Sequence, residues 1–383
     1  MSNRYTKSVV MVAGEASGDL HGARLIDALR QRHPDIRISG AGGSAMKAAG
    51  ARIVVDIRDL SVMGITAVFL KLPQILSHMA RLKRLLAERR PDLLILIDFQ
   101  DFNLHLAGYA KKIGIPVLFY ISPKVWAWRA GRIRKIKRRV DHMAVIFPFE
   151  KSYYDKHGVP ATFVGHPLMD GAPLENAHEP GLPSGKYWSV ALLPGSRESE
   201  VIRLLPEMLK AARILQQDDP ELQFVISRAP SIDTALIEHL THVYGVAHTR
   251  ITDNPVYAIF GSCRLAIVAS GTASLEAAIF GIPTIIVYSV STLSYMIAKL
   301  LVHVPHIGLA NLIANKRVLP ELVQDQAVAH EIAATALHLL SDGEAYCRMQ
   351  SELRGVRKQL GRAGASDRVA AIACGMMGCH GAV

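Results

Sequence analysis

Short apolar runs alternate with longer amphipathic stretches along most of this chain, and this rhythm is the strongest constraint on its fold. Runs such as Ser8–Ala13 and Leu93–Ile97 have the length and composition of buried parallel strands. Intervening stretches such as Leu20–Arg32 place apolar residues at helical spacing. Because parallel strands are joined by helical crossovers, the alternation predicts doubly wound α/β sheets. The other predicted strands are Val117–Ile121, His142–Phe147, Val190–Leu193, Leu222–Ser227, Leu265–Ala269 and Thr284–Tyr288, and the other predicted helices are Gln74–Arg89 and Phe102–Lys112.

The alternation stops between Gly165 and Lys186, where proline and glycine are dense. Such a composition is typical of a linker, and 383 residues are enough for two domains. We therefore predict an N-terminal domain over residues 1–168, a second domain over 169–345 and C-terminal helices over 346–383. Two similar domains joined by a hinge would bind a ligand in the cleft between them.

Charge and composition narrow the range of partners. The formal net charge of +11 favours an anionic partner: nucleic acid, anionic lipid or a phosphorylated substrate. No nucleic-acid-binding pattern is present, so we expect no nucleic acid. Four cysteines in so long a chain do not form a disulfide framework, which fits a reducing cytoplasm. We see no leader-like segment and no apolar run of about 18 residues, so we expect any membrane contact to be peripheral.

The turn after the first strand, GEASGD at residues 14–19, combines two glycines with carboxylates. The glycines permit close backbone approach, and Ser17 or Asp19 can cap the helix that follows. Glu15 lies where open α/β sheets place ligands, although the dinucleotide fingerprint G-x-G-x-x-G is missing. An ordinary strand–helix turn would have the same residues, so both interpretations stay open.

Asp98 directly follows the apolar strand Leu93–Ile97. Partial burial at the end of a strand would raise the pKa of this carboxyl and suit it to act as a general base. Asp101 is predicted to cap the next helix. A solvated turn at the strand end is the alternative for Asp98, and the residues alone leave it open.

Two tryptophans, Trp126 and Trp128, lie two residues apart after the strand Val117–Ile121. Aromatic residues make up only 6% of the chain, so this pair is unusual and could stack on a sugar or meet lipid. A cationic run without acidic residues follows, and it is either a solvated helix face or an anion-binding surface. Its members are Arg129, Arg132, Arg134, Lys135, Lys137, Arg138 and Arg139.

Two strand–helix turns in the second half carry groups that bind phosphates. Arg197 stands at a predicted helix entrance beside free backbone N–H groups. In the segment 269–276, Ser270 and Thr272 offer hydroxyls, and Glu276 lies one helical turn further on the same face. Since a carboxylate there could accept both hydroxyls of a ribose, the two turns together indicate a nucleotide diphosphate site.

The segment Val62–Leu76 is almost entirely apolar, broken by Lys71 and Pro73, and it continues into a basic helix. A buried helix with a polar outer face would have this pattern. The alternative is an exposed apolar ridge with a cationic flank, which docks on anionic lipid. On that interpretation the membrane-contact residues are Ile65, Val68, Phe69, Leu72, Ile75 and Leu76, flanked by Lys71, Arg81, Lys83 and Arg84.

The sequence offers little support for a metal site. Cys374 and the pair Cys379–His380 lack a second pair of ligands, and no DxD-like pair follows a nucleotide-binding strand. Walker A and G-x-S-x-G motifs are also missing. We therefore expect neither a metal nor a cofactor.

In their order along the chain, these segments resemble the lipid-A-disaccharide synthases, a family of inverting GT-B glycosyltransferases. The resemblance runs from about Val9 to about Gln326, and it departs from the family pattern at Phe99-Gln100, where Ala-Pro is common. The matching segments are GEASGD at 14–19, IDFQDFN at 97–103, SPKVWAWR at 122–129, FPFE at 147–150, VGHP at 164–167, LPGSRESE at 193–200, ASGTASLE at 269–276 and PHIGLANL at 305–312.

The resemblance implies two Rossmann-like domains, with a C-terminal helix that crosses back to the first. It implies transfer of a diacylglucosamine from UDP-2,3-diacylglucosamine to the 6-hydroxyl of 2,3-diacylglucosamine 1-phosphate. The β-1,6 linkage would form with inversion and without a metal, in lipopolysaccharide biosynthesis. The chain would then work in the cytoplasm, peripherally associated with the anionic surface of the inner membrane. Whether it forms a homodimer stays an open question.

The resemblance also implies roles for individual residues. Asp98 would be the base that deprotonates the 6-hydroxyl, with Glu15 as its rival, and Arg197 would neutralise the departing diphosphate. The substrate-binding residues expected in the first domain are Gly14, Ser17, Gly18, Asp19, Ser122 and Trp126. Those expected in the second domain are Arg197, Glu200, Ser270, Gly271, Thr272, Glu276, Tyr288, Asn311 and Gln324.

Two alternatives remain. UDP-sugar 2-epimerases can share the two-domain shape and the nucleotide site, but they act on unacylated sugars. The apolar segment 62–76 and the basic tryptophan loop argue against an epimerase. The second alternative is a nucleotide-binding regulatory protein without catalysis, in which Asp98 and Glu15 would have no catalytic role.

Overall fold

The computed structural model describes residues 6–60, 65–128, 130–171, 189–301 and 304–379. The chain divides into two compact units. One comprises Met1–Asp170 and Leu360–Val383, and the other comprises Gly171–Gln359. Each unit contains a parallel sheet flanked by helices, so the predicted fold class is confirmed.

The first unit is built on a seven-stranded parallel sheet with the strand order β3-β2-β1-β4-β5-β6-β7. The chain winds outward from β1 in one direction and then from β4 in the other, so the switch point lies between β1 and β4. The strands are β1 Ser8–Ala13, β2 Arg37–Gly42, β3 Arg52–Asp56, β4 Leu93–Ile97, β5 Val117–Tyr120, β6 His142–Val145 and β7 Ala161–Phe163.

Helices cover both faces of this sheet, which explains why the central strands are uniformly apolar. Every residue of Leu93–Ile97 is fully buried. The helices up to the linker are α1 Ala16–Arg32, α2 Ser44–Ala48, α3 Ile57–Leu60, α4 Ile65–Arg89, α5 Gln100–Lys112, α6 Ile133–Arg139 and α7 Pro148–Lys156.

The second unit repeats the arrangement with a six-stranded parallel sheet in the order β10-β9-β8-β11-β12-β13. Its switch point lies between β8 and β11. The strands are β8 Ser189–Leu193, β9 Gln223–Ser227, β10 Thr249–Thr252, β11 Cys263–Ala269, β12 Thr284–Tyr288 and β13 Glu321–Val323. The helices are α8 Glu198–Asp218, α9 Thr234–Tyr244, α10 Val256–Phe260, α11 Thr272–Phe280, α12 Thr292–Leu301, α13 Leu309–Ala314, α14 Ala329–Ser341 and α15 Gly343–Gln359.

The C-terminal segment returns to the first unit at Leu360 rather than at the predicted residue 346. Helix α15 packs against α11 and α13, so it belongs to the second unit. The last helix, α16 (Ala365–Met376), packs against α1. The Asp170 carboxylate holds its start by accepting bonds from the backbone N–H groups of Gly364, Ala365 and Ser366, at 2.8, 2.9 and 3.0 Å.

Candidate active site

Three loops leave the carboxyl edge of the first sheet side by side, after β1, β4 and β5. Ala13 pairs with Ile97, and Ile97 pairs with Tyr120, so Glu15 and Asp98 follow neighbouring strands. This edge is at the switch point, where open α/β sheets bind ligands. The structure therefore brings together the two carboxylates that the sequence predicted as catalytic.

Asp98 occupies a strained turn that its neighbours stabilise. Its φ is +48° and that of Phe99 is +45°, both in the left-handed region that is uncommon outside glycine. The side-chain amide of Asn103 donates to the carbonyl oxygens of Ile97 and Asp98, at 3.3 and 2.8 Å. Asn103 was not predicted as a site residue from the sequence, yet its side chain fixes the direction in which Asp98 leaves the sheet.

The environment of Asp98 suits a general base. Burial first of all, and then the Glu15 carboxylate, raise the pKa of this carboxyl to about 6, although the Lys124 ammonium and a hydrogen bond from the Phe99 backbone act to lower it. A carboxyl with this pKa is mostly ionised at neutral pH, and it accepts a proton more readily than a solvated one.

The two glycines of the first turn serve close packing. A Cβ at Gly14 would lie 2.1 Å from the ring of Phe99, so the ring lies directly over this backbone. A Cβ at Gly18 would lie 3.3 Å from the Cβ of Ala13, where α1 crosses β1. Both glycines are buried, so the structure gives them a packing role in place of the predicted substrate contact.

The structure corrects the interpretation of Asp19. This residue is only 4% exposed, and its side chain does not cap α1. Helix α1 begins at Ala16 after Glu15, without a side-chain cap, and Ser17 is exposed. The Asp19 carboxylate accepts from the backbone N–H groups of Gly43, Ala45 and Met46, at 2.6, 2.9 and 3.1 Å.

The buried carboxylate of Glu150 organises the loop after β5. One oxygen accepts from the Ser122 hydroxyl at 2.7 Å and from the Trp126 indole N–H at 3.0 Å. The other accepts from the backbone N–H groups of Ile146 and Phe147. Ser122 and Trp126, both predicted to contact the substrate, therefore bond to Glu150 inside the protein. Ser122 is also only 5% exposed. This role of Glu150 was not predicted, although a glutamate two residues after a proline at a helix start is a capping signal in the sequence.

Two members of the cationic run bond to residues of helix α5. Arg132 donates to both oxygens of Asp101 at 2.6 Å and to Gln100 at 3.0 Å, and its guanidinium lies over the Trp128 ring. Arg139 donates to the carbonyl oxygen of Leu104. The exposed members of the run within the described residues are Arg134, Lys135, Lys137 and Arg138.

The turn after β8 is closed by Glu200. One oxygen of this carboxylate accepts from the Arg197 guanidinium at 2.8 Å, and the other accepts from the backbone N–H groups of Ser196 and Arg197. Gly195 has a φ of +114°, and a Cβ there would lie 2.4 Å from the Glu200 carboxylate. Glu200 therefore positions the turn, whereas the Arg197 side chain is 68% exposed.

The turn after β11 is open. Nothing lies within 4 Å of a Cβ built at Gly271, and α11 begins at Thr272 without a side-chain cap. Both residues are exposed, and Ser270 beside them is half-buried. Uncapped N–H groups at a helix start attract anions, so this turn can receive a phosphate.

Burial raises the pKa of Glu276 to about 7. Within the described residues, no protein group donates a hydrogen bond to its side chain. A half-buried carboxylate without hydrogen-bond donors is stabilised when a bound ligand supplies such donors. Tyr288, at the end of the adjacent strand β12, has its pKa raised by burial and by the Glu200 carboxylate, and lowered by Arg197. These residues therefore share one edge of the second sheet.

The structure also corrects the interpretation of two predicted amide ligands. Asn311 is fully buried and makes four bonds, as donor to Leu319 and Glu321 and as acceptor from the N–H groups of Val318 and Leu319. Gln324 accepts from the N–H of Val290 at 2.7 Å and donates to its carbonyl oxygen at 3.0 Å. Both amides join loops to each other instead of facing a ligand.

The predicted membrane ridge lies partly within the described residues. The side chains of Ile65, Val68 and Phe69 lie outside the described residues, although their backbone belongs to α4. Leu72 and Leu76 are 44% and 59% exposed. Ile75 is half-buried and packs against the core of the first unit, so it is less exposed than Leu72 and Leu76.

Neither a membrane-spanning helix nor a metal cluster is found in the part of the chain that the structure describes. None of the helices there is long and apolar enough to cross a membrane. No group of three or more His, Cys, Asp or Glu side chains there could hold a metal ion.

Two doubly wound units in one chain are the architecture of the GT-B fold, to which many glycosyltransferases belong. Three solved structures share the architecture. The glycotransferase of kitacinnamycin superposes with a TM-score of 0.66 at 16% identity, covering 97% of this chain and 99% of that one. MurG of Acinetobacter baumannii superposes with a TM-score of 0.61 at 15% sequence identity, covering 96% of this chain and 99% of that one. The UDP-GlcNAc 2-epimerase of Neisseria meningitidis superposes with a TM-score of 0.67 at 12% sequence identity, covering 96% of this chain and 100% of that one.

The sequence assigns the family within this fold. The sequence model of the lipid-A-disaccharide synthetases matches residues 9–373, and the chain belongs to that family. The lipid-A-disaccharide synthase of Syntrophus aciditrophicus is 46% identical, covering 96% of this chain and 97% of its own length. That of Geobacter metallireducens is 42% identical, covering 99% of each. The epimerases share the fold alone, so the epimerase alternative is set aside.

Proposed function

We propose that this chain transfers 2,3-diacylglucosamine from UDP-2,3-diacylglucosamine to the 6-hydroxyl of 2,3-diacylglucosamine 1-phosphate. The products are the β-1,6-linked disaccharide 1-phosphate and UDP. The observation that carries the proposal is the family match over residues 9–373. The strand-end sites support it, because they supply a base in one unit and phosphate-binding groups in the other.

Asp98 acts as the base in this scheme. The 6-hydroxyl oxygen of the acceptor attacks C1 of the donor sugar, and its proton passes to the Asp98 carboxylate. The bond from C1 to the diphosphate breaks, UDP leaves with the electron pair, and C1 inverts. A pKa of about 6 keeps Asp98 ionised before the attack.

The second unit holds UDP. The Arg197 guanidinium and the uncapped N–H groups at the start of α11 bind the diphosphate and stabilise the charge that develops as it leaves. Glu276 accepts hydrogen bonds from the ribose hydroxyls, and these hydroxyls supply donors that the described residues do not offer its carboxylate. Tyr288 borders this site at the end of β12.

The chain works at the cytoplasmic surface of the inner membrane, where its acylated substrates reside. Leu72 and Leu76 lie one helical turn apart on α4, so they share a face, and both are exposed. Arg81 and Arg84 are exposed further along the same helix, on other sides of it. An exposed apolar face inserts into the headgroup layer of a bilayer, and basic residues near it add attraction to anionic lipid.

Replacing Leu72 and Leu76 together by serine should reduce sedimentation with anionic vesicles and leave the melting temperature nearly unchanged. The wild type should bind these vesicles more weakly as salt increases, because its basic residues contribute about 1 kcal/mol each near the surface. Ile75→Ser is the matched control. Since Ile75 packs on the core, this change should lower stability by about 1–3 kcal/mol. A large fall in melting temperature for the double variant, or no vesicle binding by the wild type, would contradict the docking role.

The activity itself is tested by mass spectrometry of the products formed from UDP-2,3-diacylglucosamine and 2,3-diacylglucosamine 1-phosphate. We expect the disaccharide 1-phosphate and an equal amount of UDP, both dependent on the acceptor. Without the acceptor, the donor should stay intact. Release of UDP with no disaccharide, or an isomerised donor, would exclude the proposed transfer.

A further inference from the structure

The loop after β5 places a lysine beside the two carboxylates of the first unit. The backbone N–H of Asp98 donates to the carbonyl of Tyr120 at 3.0 Å, so this loop starts next to the Asp98 turn. Pro123 and Val125 are buried, whereas Lys124 between them is exposed. Glu15, Asp98 and Lys124 therefore follow three neighbouring strands, β1, β4 and β5, at one edge of the sheet.

The backbone of Lys124 is held on both sides. Glu150 accepts bonds from Ser122 before it and from Trp126 after it, at 2.7 and 3.0 Å. The carbonyl oxygen of Lys124 accepts from the N–H groups of Ala127 and Trp128, at 3.1 and 3.2 Å. The buried Glu150 thus supports a preorganised loop that presents the Lys124 side chain.

The charge of the acceptor creates a need for such a cation. A phosphate monoester carries nearly two negative charges at neutral pH, and Glu15 and Asp98 would repel it from this edge. Lys124 is the cation whose charge acts on the Asp98 carboxyl in the described part of the chain. Its ammonium has no ion-pair partner among the described residues, so it can receive an anion.

We propose that Lys124 binds the 1-phosphate of the acceptor while the 6-hydroxyl of the same sugar meets Asp98. The inference rests on the proposed function and adds the residue that selects a phosphorylated acceptor. C1, which carries the phosphate, and C5, which carries the 6-hydroxymethyl group, both flank the ring oxygen, so the two groups project from neighbouring positions of one pyranose ring. Neighbouring strands are about 4.8 Å apart, so side chains that follow β4 and β5 can reach the 6-hydroxyl and the 1-phosphate of the same sugar.

The test compares two acceptors with the purified full chain: 2,3-diacylglucosamine 1-phosphate, and the methyl glycoside in which O-methyl replaces the phosphate. Lys124→Met should raise the KM for the phosphorylated acceptor by at least about tenfold, the effect of losing a charge-assisted hydrogen bond. The KM for the methyl glycoside should change by less than about twofold. Lys124→Arg should restore most of the selectivity, because arginine keeps the charge.

Lys112→Met is the matched control, since Lys112 is an exposed lysine at the opposite end of α5. It removes the same charge and should leave both KM values unchanged. An unchanged KM for the phosphorylated acceptor in Lys124→Met, or an equal rise for both acceptors, would overturn the assignment. If the wild type forms no disaccharide from either acceptor, the proposed function itself fails, which separates the two hypotheses.

Discussion

Replacing Asp98 by asparagine should lower turnover at least about a hundredfold and leave the affinity for UDP unchanged. Asparagine has nearly the same size but cannot take the proton of the 6-hydroxyl. It also tolerates the left-handed φ of +48° that the backbone adopts here, so the turn should persist. Product formation measured by mass spectrometry reports the turnover, and titration calorimetry reports UDP binding.

Glu15→Gln is the comparison that assigns the base. If Asp98 is the base, the Glu15 variant should keep much more activity than the Asp98 variant. The wild-type kcat/KM should also rise with pH through about 6 and then level, because the raised pKa of Asp98 sets where the base ionises. Wild-type turnover in Asp98→Asn, together with a severe loss in Glu15→Gln, would reverse the roles.

Central strands could be predicted from the sequence and peripheral strands could not, for a physical reason. The strands β1 and β4 are covered by helices on both faces, and their continuous apolar runs were predicted with the observed bounds. The prediction missed strands at or next to the sheet edges, where side chains reach solvent and polar residues are tolerated. These strands are β2, β3, β7, β10 and β13.

In the candidate site too, features set by the local sequence could be predicted, and features set by tertiary contacts could not. A carboxylate that directly follows a buried strand lies at the carboxyl edge, so the sequence could place Asp98 and Glu15. Whether an amide or hydroxyl faces a ligand or a neighbouring loop depends on contacts distant in sequence. For that reason Asn311, Gln324 and Ser122 were predicted as ligands, although each bonds to the protein.

Arg197→Ala should weaken UDP binding by about 1.5–3 kcal/mol, or roughly 10–150-fold, the contribution of a charge-assisted hydrogen bond. The protein offers Arg197 an alternative partner in Glu200 at 2.8 Å, but this pair is exposed, with 68% of the arginine side chain accessible. An exposed ion pair contributes only about 0–1 kcal/mol, so releasing the guanidinium to the diphosphate should cost little. The second oxygen of Glu200 would continue to hold the backbone of the turn.

The matched control is Arg203→Ala, which removes another exposed arginine from the same helix, α8. Titration calorimetry with UDP should find wild-type affinity for Arg203→Ala and a clear loss for Arg197→Ala. The loss should shrink as salt increases, because the arginine and the diphosphate attract each other at a partly exposed site. Equal affinities for the two variants would place the diphosphate away from the turn after β8. The uncapped start of α11 would then be the remaining phosphate-binding candidate of the second unit, because its N–H groups attract an anion without any side-chain cation.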